Sequence, residues 1–503
     1  MLTIAVVFIA SIVLYWIYSF ESKRRKLPPG PVPLPLLGNS LSLIRAENHV
    51  DKLLEWGKTY GPVYTIWLGT MPAVFVVDYD IMQETFVKNA DAYSGRLKVY
   101  AIEKLRGGNK GVIFSDGNLW KEQRRFSLHV LRDFGVGRNI MEENILIEAN
   151  AMIDGITAQL TSSKGAVINL RPFLDVCIGS IINALLFGYR YSEKKLEEFR
   201  YLKKLIMDDQ EAGTSQALLF MLGPVTARFP IFRQAWQEAL HIQEELSACL
   251  MKDINEHRRT FDPTVEPTDF AYAYLKQIHD LQQRGESTEN YSDLQFMNVA
   301  LDLWLAGMET TVTTLKWAFL YLLHHPEVQN RIHKELDEVI GEDREITMAD
   351  KPKLPYITAT INEIQRCANI LALNLPHRTT QRVTVGGYDI AEGTVIVPQI
   401  SAVHMDEKHF PQPKTFDPSR FLEADGRTVK KVDQLMPFSL GKRQCMGESL
   451  ARMELFLVFV NLVRKFKLSV PEGQPMPSLK AKFGSTVSPQ DYVCWVSQRT
   501  VNA

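Results

Sequence analysis

The longest uninterrupted helical pattern in the sequence begins at Ser292 and ends at His325, immediately before Pro326. Ser292 followed three residues later by Gln295 predicts an N-terminal capping box, in which each side chain bonds the backbone N–H of the other residue. About thirty residues form a helix of roughly 45 Å, whereas a typical helix has about twelve residues. A helix of this length has to cross the body of a domain, so the pattern predicts a large, mainly helical fold.

The composition of the chain is compatible with one such domain. The chain has 503 residues, a formal charge of −1 and 46% hydrophobic residues, which is enough apolar material for a large core. A near-neutral charge balance gives no reason to expect nucleic-acid binding. Length alone would suggest about three domains, but no repeat or linker interrupts the chain after residue 40. We therefore predict one large domain over residues 41–503.

Two strand-rich segments predict a small β portion. Residues 61–77 contain two runs rich in β-branched and aromatic residues, one on either side of a turn near Gly69. Residues 382–400 show the same pattern, with Gly386 and Gly387 at one of the turns. The expected fold class is therefore mainly α with a small β portion.

The first twenty residues carry no charged side chain, and a basic run, KRRK, follows at 23–26. Twenty helical residues cover about 30 Å, enough to cross a bilayer. A cleavable signal peptide is the alternative, but the segment has no basic start and no small-x-small cleavage site. We predict a transmembrane signal anchor over 1–20, a basic and proline-rich neck over 21–40, and a cytosolic body, because the positive charges follow the span. The few scattered cysteines agree with a reducing compartment.

The middle of the long helical pattern, LAGMETT, combines a glycine, an acid and a hydroxyl. Gly307 allows another group to approach the backbone closely. Thr310 can donate a hydrogen bond to the carbonyl of Ala306 and open the helix locally. Glu309 is either a solvated helix residue or, together with Thr310, part of a functional pair.

A second helical segment contains Glu363 and Arg366, which share a helix face at a spacing of three. Such spacings are frequent, and most are weak surface pairs. The pair becomes informative only together with other motifs.

Cys445 lies in the segment PFSLGKRQCMGE, directly before a buried helical pattern. The free N–H groups of a helix N-terminus favour a thiolate. Gly441 and Gly447 remove side chains on both sides, which leaves room for a flat group, and Arg443 offers a fork for a carboxylate. A buried thiol, a nucleophile and a metal ligand remain open from these residues alone, and a single cysteine suits the ligation of haem iron.

The loop around Cys445 resembles the cysteine loop FxxGxRxCxG of the cytochromes P450 at every fixed position, namely Phe438, Gly441, Arg443, Cys445 and Gly447. Three further motifs of that family appear in its order: AGx(D/E)T at 306–310, ExxR at Glu363 and Arg366, and a later arginine, Arg420. The resemblance covers the whole chain and is greatest to the animal microsomal group, family two and its relatives, which oxidises drugs, steroids and fatty acids.

The resemblance implies the cytochrome P450 fold, with a large helical domain and a β-rich lobe behind the anchor, and haem b as cofactor. It implies that Cys445 is the thiolate ligand of the haem iron and that Glu309 and Thr310 deliver protons. By the same resemblance, five residues bind the haem propionates: Arg96, Trp120, Arg124, His377 and Arg443. The pair Glu363–Arg366, with Arg420, is expected to be structural.

The implied activity is that of a monooxygenase that inserts one oxygen atom from O2 into a lipophilic fatty acid, steroid or xenobiotic. The sequence has no Walker A loop and no complete dinucleotide fingerprint, so the electrons of NADPH are expected from NADPH-cytochrome P450 reductase, with cytochrome b5 as a second partner. The implied location is the endoplasmic reticulum membrane, with a single pass. The apolar pocket walls are expected at 97–115, 217–232, 296–306, 370–376 and 484–488.

Two alternative functions remain open at this point. One is a haem-thiolate isomerase or dehydratase acting on lipid peroxides, which has less need of the proton-delivering pair Glu309 and Thr310. The other is a non-catalytic haem protein that senses or carries ligands. Leu305 and Arg378 depart from residues common among near relatives, so the resemblance does not name a substrate.

Overall fold

The computed structural model describes residues 2–134, 139–160, 165–191, 193–212, 229–341, 344–484 and 486–499. Most of these residues are helical, as the sequence predicts. The helices in chain order are α1 Leu2–Arg25, α2 Ser40–Ile44, α3 His49–Tyr60, α4 Tyr79–Met82, α5 Tyr100–Leu105, α6 Gly117–Asp133, α7 Asn139–Gln159, α8 Arg171–Phe187, α9 Leu196–Ala212, α10 Pro230–Thr260, α11 Phe270–Gln283, α12 Asp293–His324, α13 Pro326–Val339, α14 Pro355–Ala368, α15 Ile400–His404 and α16 Glu448–Lys465.

The strands are short and form small sheets. In chain order they are β1 Val63–Leu68, β2 Met71–Val76, β3 Gly95–Arg96, β4 Ala166–Ile168, β5 His377–Arg378, β6 Val383–Val385, β7 Tyr388–Ile390, β8 Val395–Pro398, β9 Phe466–Ser469, β10 Ala481–Phe483, β11 Val487–Pro489 and β12 Cys494–Gln498. The largest sheet has the order β1-β2-β8-β5-β3, and β4-β12-β9 form a second sheet.

The chain divides into two compact units. The first comprises Met1–Leu97, Ala372–Pro413 and Ser439–Gln444 and contains the five-stranded sheet. The predicted strand pair around Gly69 is confirmed, since β1 and β2 pair antiparallel from Val63↔Val76 to Leu68↔Met71. The predicted turn at Gly386 and Gly387 joins β6 to β7, and both glycines have positive φ. This small β unit carries three of the predicted site residues.

The neck segment lies along the outer edge of β1. Pro29 accepts a hydrogen bond from Thr65 N at 2.8 Å, and the buried Asn39 side chain accepts from Trp67 N at 2.8 Å. Helix α1 has 24 residues, with basic residues in its last turn. Among the residues that the structure describes, no helix meets the length and apolarity needed to cross a membrane.

The second unit comprises Lys98–Leu371, Lys414–Phe438 and Cys445–Ala503 and is mainly helical. Helix α12 is its longest, with 32 residues, and packs against α8, α14 and α16. Ser292 caps it by accepting from Gln295 N at 3.3 Å. The reciprocal half of the predicted capping box is wrong, because the Gln295 side chain exchanges two 3.0 Å hydrogen bonds with the backbone of Gly111. The long central helix itself is confirmed.

Candidate active site

Cys445 has the position expected from the sequence, three residues before α16. Its N–H donates to Phe438 O at 3.0 Å, and its side chain is exposed. Loss of solvent around the sulfur raises the pKa of the thiol, while the Gly447 N–H and the nearby Arg124 act in the opposite direction. The predicted preference for the thiolate at this helix start is therefore not confirmed, because desolvation has a larger effect on the pKa of Cys445 than the Gly447 N–H and Arg124.

The two glycines beside Cys445 differ in their structural role. Gly441 has φ +70°, and a Cβ there would lie 1.8 Å from Phe86 O. A Cβ at Gly447 would meet only the Cys445 sulfur, at 4.0 Å. Close packing of the loop on the segment at Phe86 therefore requires glycine at position 441 by itself, and the predicted clearance for a flat ligand stays a prediction.

Three basic residues come together in the first unit. Arg96 on β3 and His377 on β5 are directly paired in the sheet, and Arg443 Nε donates to Ser94 O at 2.8 Å. His377 Nδ1–H donates to Tyr93 O at 2.7 Å, whereas its Nε2 is buried without a hydrogen-bond partner in the described part of the chain. Desolvation lowers the pKa of His377, and the positive charges of Arg96 and Arg443 lower it further. A buried cluster that contains two guanidinium groups and a histidine is suited to binding an anion.

Trp120 and Arg124 lie on α6 in the second unit. The Trp120 ring is buried, and the Arg124 guanidinium lies 6.0 Å from its centroid. Desolvation lowers the pKa of Arg124, and the charge of Cys445 raises it. The side chain of Arg124 therefore lies within electrostatic range of the sulfur, as a residue that binds a group held by Cys445 should.

The Thr310 hydroxyl makes the hydrogen bond predicted from the sequence, donating to Ala306 O at 2.6 Å. Local opening is not observed, since α12 continues as α-helix through this turn. Ala306 is exposed although most of the helix around it is buried. Gly307 faces elsewhere, because a Cβ there would meet Ile182 Cδ1 at 2.6 Å. The approach that Gly307 allows is that of helix α8.

Glu309 belongs to a buried ionic cluster that the sequence did not predict. Lys203 Nζ lies 2.7 Å from Glu309 Oε2 and 3.1 Å from Asp175 Oδ1. Arg171 approaches both acids, at 3.9 Å from Glu309 Oε1 and 3.6 Å from Asp175 Oδ2. Desolvation raises the pKa of Asp175, and the charges of Lys203 and Arg171 lower it. The Glu309 carboxylate is thus paired with Lys203, while the neighbouring Thr310 hydroxyl bonds the backbone.

A small cleft lies beside Thr310 within the second unit. Its walls come from α12, α14, α16 and the loop before Cys445, and most of the lining side chains are apolar. Phe438 contributes an aromatic wall, and Gln365 contributes an amide oxygen without a hydrogen-bond partner among the described residues. A narrow apolar cleft of this kind accepts the edge of a flat hydrophobic group.

The Glu363–Arg366 pair is fully buried, which confirms its structural interpretation. Arg366 donates from Nε and Nη2 to the two carboxylate oxygens of Glu363 at 2.7 and 2.8 Å. Arg420 Nε lies 3.3 Å from Glu363 Oε1, and Asp417 N donates to the same oxygen at 2.9 Å. The network joins α14 to the segment 415–420.

Sequence reasoning missed a clamp on the segment 106–113. Asp302 Oδ2 accepts from Val112 N and Ile113 N at 2.7 and 2.9 Å, and Asp302 Oδ1 lies 2.6 Å from Arg106 Nη1. Asn298 Nδ2 donates to Arg106 O at 3.1 Å. Polar residues at 295, 298 and 302 on an apolar helix share one face, and this spacing was the available signal. The clamp fixes part of the predicted wall 97–115 on the predicted wall 296–306.

Replacing Asp302 with asparagine is expected to destabilise the protein by about 1–3 kcal/mol, because Arg106 loses its counter-charge in a buried place. Hydrogen exchange should increase over 106–113. Asp293→Asn is the control, since Asp293 pairs with Arg258 in an exposed position on the same helix and should cost under about 1 kcal/mol. Urea unfolding and exchange mass spectrometry measure both, and equal losses in the two variants would contradict the clamp.

Comparison with known proteins agrees with this geometry. A sequence profile of the Cytochrome P450 family matches residues 28–495. The relative named Probable cytochrome P450 CYP36A1, from Caenorhabditis elegans, is 32% identical over 509 residues, which is 99% of this chain and 100% of the relative. Cytochrome P450 2D20 of Mesocricetus auratus is 36% identical over 473 residues, 93% of this chain and 92% of the relative. Cytochrome P450 2A13 of Homo sapiens is 35% identical over 482 residues, 95% of each chain.

These matches extend over nearly the whole chain, including the cysteine loop, the central helix and the buried Glu363–Arg366 pair. The family also implies haem as the cofactor. The chain therefore belongs to the cytochrome P450 family and is a haem-thiolate monooxygenase.

Proposed function

We propose that this enzyme inserts one oxygen atom from O2 into a lipophilic fatty acid, steroid or xenobiotic, with NADPH-derived electrons from a reductase. The observation that carries the proposal is the exposed Cys445 thiol, which lies beside Arg124 at the start of a buried helix. A thiolate ligand of haem iron favours O–O cleavage.

Each unit, taken by itself, contains residues suited to binding part of a haem group. In the second unit, Cys445 would hold the iron and the apolar cleft beside Thr310 would accept part of the macrocycle, while Trp120 and Arg124 would bind a propionate. In the first unit, Arg96, His377 and Arg443 form a buried cationic cluster with an unsatisfied ring nitrogen at His377. The negative charge of a propionate there would raise the pKa of His377 and favour the protonated ring, in which both nitrogens donate. When bound, haem supplies the iron at which O2 chemistry takes place.

Glu309 and Thr310 are proposed to hold and move protons at this site. The Thr310 hydroxyl carries a proton at Oγ1 that is now donated to Ala306 O. Lys203 Nζ lies 2.7 Å from Glu309 Oε2 and links this carboxyl group to the ionic cluster. The pair thus combines a charged acid linked to other ionisable groups with a hydroxyl beside the exposed turn at Ala306, which is the arrangement that proton transfer needs.

A lipophilic substrate is supported by the predicted wall 296–306, which is mainly apolar. Residues 217–228 of the predicted wall 217–232, and position 485, lie outside the described residues. Lys121 and Arg125 are exposed on α6, and Lys442 pairs with Asp91 in the first unit. The two exposed basic residues are proposed to contact an acidic reductase, and cytochrome b5 is proposed as a second electron donor.

We also propose that residues 1–20 anchor the enzyme in the endoplasmic reticulum membrane with the catalytic body in the cytosol. Helix α1 would cover about 36 Å at the helical rise. No charged residue precedes Glu21, and basic residues follow in the last turn of the helix. This charge order favours a cytosolic C-terminal side.

The reduced carbon monoxide spectrum of the purified full-length protein tests the proposal. We expect a Soret band of the thiolate-ligated type, and reductase-dependent NADPH consumption with product formation across a panel of fatty acids, steroids and aromatic ethers. A spectrum without that band would reject haem-thiolate ligation. Product formation in the absence of O2 and reductase would reject the monooxygenase reaction.

Replacing Thr310 with valine is expected to lower the product formed per NADPH by about 10²-fold, because general acid–base groups contribute about 10²–10⁴-fold to rate. Valine matches threonine in shape but has no hydroxyl group, so it carries no proton that can be transferred. Thr310→Ser is the matched control, since it keeps the hydroxyl, and should retain most of the coupling. Product and hydrogen peroxide are measured against NADPH consumed, and an unchanged ratio in Thr310→Val would contradict the role assigned to Thr310.

A further inference from the structure

Glu454 is a buried acid to which the proposed reaction assigns no role. It lies on α16, the helix that Cys445 precedes, and is 1% exposed. Thr311 Oγ1 donates to its Oε2 at 2.9 Å. Its Oε1 has no hydrogen-bond partner in the described part of the chain. A carboxylate buried with one hydroxyl partner and no recorded cation is strongly disfavoured, so the neutral acid is the stable form.

We propose that Glu454 is a proton-linked positioning residue whose charge sets the reduction potential of the iron that Cys445 holds. The proposal rests on the proposed haem site. Glu454 lies six residues after Glu448, the first residue of α16, or roughly 9 Å along the helix axis. As a general scale, a unit charge about 12 Å away in a medium of effective dielectric about 20 changes an equilibrium constant by about tenfold.

The charge of one electron gained at the haem site is balanced by one proton gained at Glu454. With haem bound and one electron supplied by a one-electron donor, the Glu454 carboxylate would take up one proton from solvent and become the neutral acid. Thr311 lines the cleft beside Thr310 and bonds Glu454 directly, so its hydroxyl offers the route for that proton. A negative Glu454 favours the oxidised iron, so the potential should fall as Glu454 ionises.

The pH at which the reduction potential begins to fall is set by the burial of Glu454. Desolvation raises the pKa of Glu454 from 4.5 to about 8, and the Thr311 hydrogen bond acts in the opposite direction. Below this value Glu454 is neutral in both redox states and the potential is independent of pH. Above it the oxidised protein carries the carboxylate, and the potential falls with pH until the reduced protein also ionises.

The other ionisable groups on elements packed against α16 or near Glu454 differ in their titration. Burial raises the pKa of the Cys177 thiol, so it stays protonated, and burial lowers the pKa of His333 to about 4, so it stays neutral. Burial also lowers the pKa of Lys351. Lys351 is therefore the alternative origin of a pH-dependent step in the reduction potential. Two acids are paired with arginines, namely Glu148 with Arg190 and Glu363 with Arg366.

Spectroelectrochemical titration of the haem-loaded full chain from about pH 6 to 10 tests the proposal. The wild type should show a potential that is flat at low pH and falls by about 59 mV in total across the step, the equivalent of a tenfold change for one electron. Glu454→Gln should stay at the low-pH value throughout. Thr311→Val should move the step to higher pH, because the hydroxyl that lowers the pKa of Glu454 is lost. Glu448→Gln, on the first turn of the same helix, should shift the potential but keep the step.

A flat wild-type curve would overturn the proposal, and a step that persists in Glu454→Gln would assign it to Lys351 instead. Stability gives a second readout. Folded Glu454 keeps its proton up to about pH 8, whereas an unfolded glutamate releases it near 4.5, so the unfolding free energy should fall as pH rises between these values. Glu454→Gln should remove that component. If the carbon monoxide band is of the thiolate type and the potential is flat, only the role of Glu454 fails; if the band is absent, the haem site fails with it.

Discussion

Replacing Cys445 with alanine is expected to abolish the thiolate-type Soret band and all oxygenation while leaving the protein folded. The sulfur is the proposed iron ligand, and no other side chain of the loop offers a thiolate. The Cys445 side chain is exposed, so its truncation to alanine should change the stability by less than about 0.5 kcal/mol. The reduced carbon monoxide spectrum, turnover and circular dichroism measure the three quantities.

Cys249→Ala is the matched control for this experiment. Cys249 is also a free and partly exposed thiol, but it lies on α10. It should keep both the band and the turnover. A thiolate-type band that survives in Cys445→Ala, or one that is lost in Cys249→Ala, would contradict the assignment of Cys445 as the ligand.

Arg366→Ala is expected to destabilise the second unit by about 3–5 kcal/mol, which is a large fraction of the stability of a typical protein. Glu363 and Arg366 are both 0% exposed and share two hydrogen bonds of 2.7 and 2.8 Å. Removing the guanidinium leaves Glu363 buried with only Arg420 as a cation. We expect a lower yield of folded protein and weaker haem retention, measured by urea unfolding and by the haem-to-protein ratio.

The control for this variant is Arg382→Ala. Arg382 also binds a carboxylate through two nitrogens, that of Asp389, but the pair is exposed. Its loss should cost under about 1 kcal/mol. The double variant Glu363→Gln with Arg366→Met should recover part of the loss, because the Glu363 carboxylate is then no longer buried without Arg366, while Arg420 keeps its 3.2 Å hydrogen bond to Thr415 O. Similar losses for Arg366→Ala and Arg382→Ala would show that burial of the pair is not the cause.

The fold was predictable where local chemistry is decisive. An uninterrupted apolar pattern between Ser292 and Pro326 has only one compact solution, a long buried helix, and the structure has it at Asp293–His324. The glycine pair at 386–387 permits the positive φ values of a tight hairpin, and β6 and β7 meet there. These features depend on residues close together in the chain.

Predictions that concerned the partners of a side chain were less accurate. Gln295 was expected to complete a capping box but bonds Gly111, which lies 184 residues away. Gly441 was expected to provide ligand clearance, and the sequence did not predict that it is needed for the approach of Phe86 O. In both cases the local pattern allowed several partners, and the tertiary packing of a distant segment selected one of them.

The sequence by itself determined the chemistry that is possible here: one cysteine before a helix start, an acid and a hydroxyl in a long helix, and a glutamate and arginine on one helix face. Only the tertiary structure decided which charges are compensated. It pairs Glu309 with Lys203, locks Asp302 to Arg106, and leaves Glu454 with a single hydroxyl partner. The physical reason is that the free energy of a buried charge depends on the groups within a few ångströms of it, and those groups come from helices far apart in the chain.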